Sequence, residues 1–192
     1  MAKEVVSFKK SRIVQTTFLL LLMGFLCSFV PEENWILLGF NVVLSLTIGF
    51  VFFLLWRYNR QNSKRYFSLL SYFMLVALSV FFSIPLFRVF ADSFIFWIAL
   101  FFLIAMAAIP YFISERIARG VQNPTKSALG RVYMITVPLI IGFGTILFLN
   151  ANLSANPDAF TISIFLFFGA VFFLFIAPIL LITPERMNEL NK

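Results

Sequence analysis

Asn41, Ser45 and Gly49 follow one another at four-residue spacing, and Ser68, Ser71, Tyr72, Ser79 and Ser83 come soon after them. Each is a small or hydrogen-bonding side chain set in sequence that is otherwise apolar. In lipid such groups serve one of two ends: they line a polar path for a small neutral solute, or they bond and pack helices together. Stronger chemistry lacks its reagents. The chain has no His, which removes Ser–His and Cys–His nucleophile pairs, the axial His of haems and most zinc sites. Cys27 is the single cysteine, too few for an internal disulfide, and reads as a small apolar filler. No glycine-rich phosphate loop is present. Glu115 beside Arg116 comes nearest to an acid–base candidate, and its expected role is an interfacial charge that sets orientation. The expectation is a non-enzymatic protein with no catalytic, cofactor-binding or metal site.

The elements that carry these residues follow from composition. Hydrophobic residues make up 61% of the chain, charged residues only 12%, and 28 of 192 residues are Phe, a balance suited to lipid rather than water. A helix needs about 20 apolar residues to cross a hydrocarbon core of roughly 30 Å. Six runs meet that need, at 13–30, 35–56, 66–87, 94–113, 132–149 and 159–182, and none contains an Asp or Glu. The predicted fold is an all-α, six-transmembrane-helix bundle, a single integral membrane domain over 1–192 with no soluble domain. The first run follows a basic segment as a signal peptide would, but no small-x-small cleavage site closes it, so it is expected to stay as a span.

Lys and Arg accumulate in short cytoplasmic loops, and their distribution here alternates with the spans. With the N-terminus inside, every basic residue except Arg88 falls on the cytosolic side, whereas Glu32, Glu33, Asp92 and Asp158 fall outside. Both termini are therefore expected in the cytoplasm, in a bacterial cytoplasmic (inner) membrane. Trp35 and Trp97 near one boundary, and Trp56, Tyr58, Tyr66, Tyr111 and Tyr133 near the other, suit interfacial belts.

On a helical wheel Asn41, Ser45, Gly49, Phe52 and Trp56 share about 80° of the second span, and Ser68, Ser71, Tyr72, Ser79 and Ser83 about 120° of the third. Asn41 carries an amide that is costly to leave unpaired in hydrocarbon, and the serines of the third span are its expected partners. Ser163, Ala170 and Ala177 recur every seven residues, a small-residue seam suited to left-handed packing. Pro85 and Pro178 occupy matching positions in the third and sixth spans, as in two oppositely oriented halves of an inverted repeat. The polar stretch 111–133 reads as two helical extensions: one running through Arg119, with a Glu115–Arg119 pair, to stop at Gly120, and one starting at Pro124. From Thr183 a short helical tail is expected on the cytosolic surface.

Arg57, Arg60, Lys64, Arg65, Arg116, Arg119, Lys126 and Arg131 make a basic face suited to an acidic cytosolic protein or to anionic membrane lipids. Nucleic acid is not expected, because these charges are divided among loops without aromatic platforms. In size and number of spans the chain resembles the six-helix substrate-capture subunits of vitamin uptake transporters, and that resemblance implies capture of a small solute. The leading expectation is a multi-pass membrane subunit that forms homo-oligomers, or anchors or senses for a cytosolic partner in a membrane complex. The alternative is a small channel or carrier with the second and third spans lining its path.

Overall fold

The computed structural model describes residues 5–122 and 159–183, together with Arg131, Met134, Ile135, Pro138, Ile141, Gly142, Gly144, Thr145, Ile146, Arg186, Met187 and Glu189. Among the described residues all regular structure is helical. The main elements are α1 (Ile13–Ser28), α2 (Trp35–Asn59), α3 (Ser63–Val89), α4 (Phe94–Phe112), α5 (Ser114–Gln122) and α6 (Ala159–Ile176). A 3-10 turn, Phe8–Lys10, precedes α1, and a 3-10 segment, Ala177–Leu181, continues α6.

Five described segments are long and apolar enough to cross a membrane: Phe8–Ser28, Trp35–Asn59, Ser63–Val89, Phe94–Phe112 and Ala159–Leu181. The protein is built as a multi-pass helical membrane bundle. The expected span 132–149 lies largely outside the described residues, as do Lys126 and the Asn–Pro pairs at 123–124 and 156–157. Local sequence sets the helix starts. The side chains of Asn34, Asn62 and Ser93 accept from the backbone N–H of Leu37, Arg65 and Ile95, capping α2, α3 and α4.

Helix α3 is the hub. It packs against α1 and α2 on one side and along α6 on the other, while α4 leans mainly on α6. Leu20, Phe52, Tyr66 and Phe81 are fully buried where α1, α2 and α3 meet. Outward faces remain apolar, with Phe18, Phe50, Phe101 and Phe112 exposed as lipid requires.

Two expectations about the polar stretch are corrected. The fourth span does not run on to Gly120: it breaks at Ile113, and α5 forms a separate helix reaching Gln122. Helix α5 is amphipathic, and the break lets it turn Ile117 and Ala118 inward, nearly fully buried, with Arg116 and Arg119 outward. Glu115 is bonded not to Arg119, four residues on, but to Arg186 of the tail. The two matching prolines also act differently. Pro85 lies inside an α3 that continues to Val89, whereas Pro178 opens the 3-10 segment in which α6 ends.

Candidate functional site

One end of the bundle gathers the start of α1, the α2–α3 connection, α5 and the end of the α6 segment. The N-terminal residues form a hook there. Arg12 takes a left-handed conformation, φ 60°, so the chain turns sharply between the Phe8–Lys10 turn and α1. Val6 N–H donates to Arg60 O (2.9 Å), and the Trp56 indole N–H donates to Val6 O (2.9 Å). The buried Tyr66 hydroxyl donates to Ser11 O (2.7 Å), Ser11 Oγ donates to Phe8 O (2.6 Å), and Phe8 packs edge-on against Trp56. These bonds tie the hook to the first turns of α3 and the last turn of α2.

A second set of ties closes the same end against α6. The 3-10 segment leaves carbonyls that a regular helix would have satisfied. Ser68 Oγ donates to Leu180 O and Arg65 to Leu181 O (2.8 Å). Arg186 bridges α5 and the tail, with Nε on Glu115 Oε1 (2.8 Å) and Nη1 on Glu189 Oε2 (2.8 Å). The hydrogen bond from Arg186, with its charge, holds the Glu115 carboxyl below its ordinary value, and the two carboxylates raise that of Arg186.

The sequence-predicted residues divide sharply between interior and surface. Asn41 and Ser45 are fully buried along α2, and Gly49 is buried with them. The expected partners of Asn41 on α3 are not the ones it finds: its amide donates to Gly24 O (3.0 Å) and Ser28 Oγ (2.9 Å), both on α1. The reason is proximity, since a Cβ built at Gly24 would stand 3.1 Å from the Asn41 Cβ and the α1 backbone is therefore within reach. Asn41 Oδ1 has no donor among the described residues. Ser45, Ser79 and Ser83 each donate to a carbonyl of their own helix, at Asn41, Val76 and Val80. Tyr72 meets the Tyr111 hydroxyl at 2.6 Å, linking α3 to α4, and Ser71 stands half-buried in a groove between α1 and α3.

Ser163, Ala170 and Ala177 are all buried, the first donating to Ala159 O of its own helix. Arg57, Arg60, Lys64, Arg116, Arg119 and Arg131 are exposed and Arg65 half-buried; Lys126 lies outside the described residues.

Four contributors escaped sequence reasoning. Ser11, Tyr66 and Trp56 anchor the hook, and no periodicity announces a contact made by a buried hydroxyl to a backbone carbonyl far along the chain. Arg88, the exception in the charge pattern, is a clasp: its guanidinium donates to Ser28 O, Val30 O and Glu32 O, pinning the α1–α2 loop to the opposite end of α3. Its isolation among acidic residues was the signal available for it. Among the described residues no cluster of His, Cys, Asp and Glu could hold a metal. No protein-family model matches this chain, and no curated protein or solved structure is detectably similar to it.

Proposed function

We propose that the protein is a non-enzymatic subunit of a bacterial-type cytoplasmic-membrane assembly, with its basic end in the cytoplasm as the anchor for an acidic partner protein. The observation that carries this reading is the construction of that end. Its outward cations, Arg116 and Arg119 on α5 foremost, stand on a platform whose pieces are tied together by the hook, the α3–Leu180 and α3–Leu181 bonds and the Glu115–Arg186 pair. A rigid charged surface offers partner contacts at low ordering cost. The positive-inside rule supports its cytoplasmic placement.

Six crossings with both termini inside remain part of this reading. Helix α4 leads into α5 at the basic end, and the 3-10 segment after α6 finishes there too, whereas Phe160 at the start of α6 stacks on Phe90 at the opposite end. These positions of Gln122 and Ala159 at opposite ends support the reading of one further span over 132–149. A tag fused after Lys192 should be reachable only from the cytoplasmic side.

The competing carrier reading draws little from the geometry. Ser79 and Ser83 direct their hydroxyls to their own helix, Asn41 bonds to α1, and Leu20, Phe52 and Phe81 fill the volume between α1, α2 and α3. Two measurements separate the readings. Arg116→Gln/Arg119→Gln should abolish co-purification of the partner without changing monodispersity in detergent. Proteoliposomes should show the same solute flux before and after replacing Asn41, Ser71 and Ser79 with Leu; flux that falls while assembly survives would favour the carrier.

A further inference from the structure

Away from α5, the hook and the first half of α3 enclose a space that the anchoring of a protein does not use. A cavity of about 410 Å³ is lined by Val5, Val6, Lys9, Lys10, Arg12, Gln15, Ser63 and Phe67. A groove of about 340 Å³, lined by Arg12, Thr16, Phe67, Leu70, Ser71 and Met74, shares Arg12 and Phe67 with it. The two are polar and apolar halves of one feature. The cavity presents three cationic side chains and Ser63, the first residue of α3, whose helix N-terminus adds positive potential. The groove runs toward the membrane interior along Phe67, Leu70 and Met74, successive positions of one α3 face, with Arg12, just before α1, and Thr16 of α1 opposite. At the junction the Arg12 guanidinium lies 5.8 Å from the centroid of the Phe67 ring, which holds it over the boundary between the two.

The geometry points to a bound anionic phospholipid, its phosphate held in the cavity by Lys9 and Arg12 and one acyl chain laid in the Phe67–Leu70–Met74 groove. Charge complementarity and amphipathic shape favour a lipid over an acidic peptide, because a peptide would leave the apolar groove uncovered. The depth agrees as well. Trp side chains favour the membrane–water interface, and Trp56 is bonded to the hook through Val6 O, which fits a cavity at headgroup level with the groove below it. This inference rests on the chain being a membrane protein and on nothing about a protein partner.

The test uses the full chain, purified in mild detergent, and native mass spectrometry of the lipid retained after exposure to phosphatidylglycerol or phosphatidylcholine. The wild type should keep phosphatidylglycerol preferentially. Lys9→Gln/Arg12→Gln removes two cations from the cavity and should lower that retention about thirtyfold, from the contribution of each basic side chain at an anionic surface. Arg57→Gln/Arg60→Gln removes the same charge from the same end outside the cavity and should lower retention far less than the cavity pair does. Ser71→Trp fills the groove with every cation in place and should also release the lipid. Equal losses in the two charge variants, equal binding of both lipids, retention unaffected by Ser71→Trp, or displacement by millimolar inorganic phosphate would overturn the assignment. The last would mean a soluble phosphate ligand instead. Co-purification of a protein partner through Arg116 and Arg119 is a separate readout, so either idea can fail alone.

Discussion

The α1–α2 hairpin and the α3–α6 pair are both antiparallel helix pairs in lipid, yet they are held by different means. In the hairpin each helix presents a glycine to the other: Gly24 faces Asn41, and Gly49 faces Thr17 with a built Cβ only 2.8 Å from its Oγ1 and Cγ2. Backbones brought that close let Asn41 bond to the α1 carbonyl and hydroxyl beside it. Among the described residues, the middle of the α3–α6 pair shows no such cross-helix bond. Ser163 bonds to its own helix, and the interface is made by Ala170 and by aromatic contacts, Phe82 with Phe173 and Phe87 with Phe167. Its polar ties, from Arg65 to Leu181 O and from Ser68 to Leu180 O, stand at the basic end. The difference shows that membrane helices without a hydrophobic drive toward one another can associate through backbone proximity with polar bonding, or through shape filling alone.

The sharpest way to break this contrast is to add volume at the glycines. A methyl at Gly49 meets the γ atoms of Thr17, a β-branched side chain with little rotamer freedom in a helix, so Gly49→Ala should destabilise the bundle by about 1–3 kcal/mol. At Gly169 the built Cβ is 3.1 Å from the Cδ2 of Phe82, a ring that can tilt. There the gain in helix propensity, up to about 1 kcal/mol, should offset the crowding. Gly39 has nothing within 4 Å and serves as the control. Thermal unfolding in one detergent ranks the three; a Gly169 variant as damaged as the Gly49 variant would erase the proposed distinction between the pairs.

Removing polar bonds is the smaller perturbation. Asn41→Leu should cost about 1 kcal/mol, within the range for interhelical bonds in membranes, and a double-mutant cycle with Ser28→Ala should show coupling between them. Ser163→Ala in the other pair removes only a bond to its own helix and should change stability by less than about 0.5 kcal/mol. If Ser163→Ala proved as costly as Asn41→Leu, shape filling would not suffice for α3–α6.

What the sequence disclosed of these pairs, and what it hid, has a common cause. Apolar run length located the described spans, and wheel geometry put Asn41, Ser45 and Gly49 on one face, because a helix makes both depend on local order alone. Which helix faces Asn41 is a tertiary matter. The serine stripe of α3 offered more hydroxyls than α1, but the closeness permitted by Gly24 decided the pairing. The hook was illegible for a similar reason: residues 5–12 have no period, and their course depends on the left-handed Arg12 and on carbonyl contacts of Tyr66 and Trp56. Pro85 and Pro178 show the limit again, since like positions gave a continuous helix in one case and a 3-10 ending in the other. The basic face was visible as a set of charges, though not as a platform, because the ties that rigidify it run from side chains to distant backbone carbonyls.

The two pairs should also answer differently to acid, and this is the gentlest probe of the comparison. The Asn41, Gly24 and Ser28 contacts contain no titratable group, so the hairpin has nothing to lose as pH falls. The basic end of α3–α6 is closed in part by Arg186, which Glu115 engages at 2.8 Å with Glu189 on its other side and Arg119 contributing nearby charge. Glu115 is held below its ordinary value, so its protonation is disfavoured while the tail is docked. The tie is therefore complete above the ordinary carboxylate range and is lost as pH drops through the depressed value. Arg186 stays charged throughout. A thiol probe introduced by Met187→Cys should become more accessible over that acid window, with the bundle still folded. Glu115→Gln should make the probe more accessible at neutral pH and flatten the acid response. A full-sized response persisting in Glu115→Gln would show that the Glu115–Arg186 tie does not close this end and that α3–α6 is held there, as in its middle, without an acid-sensitive bond.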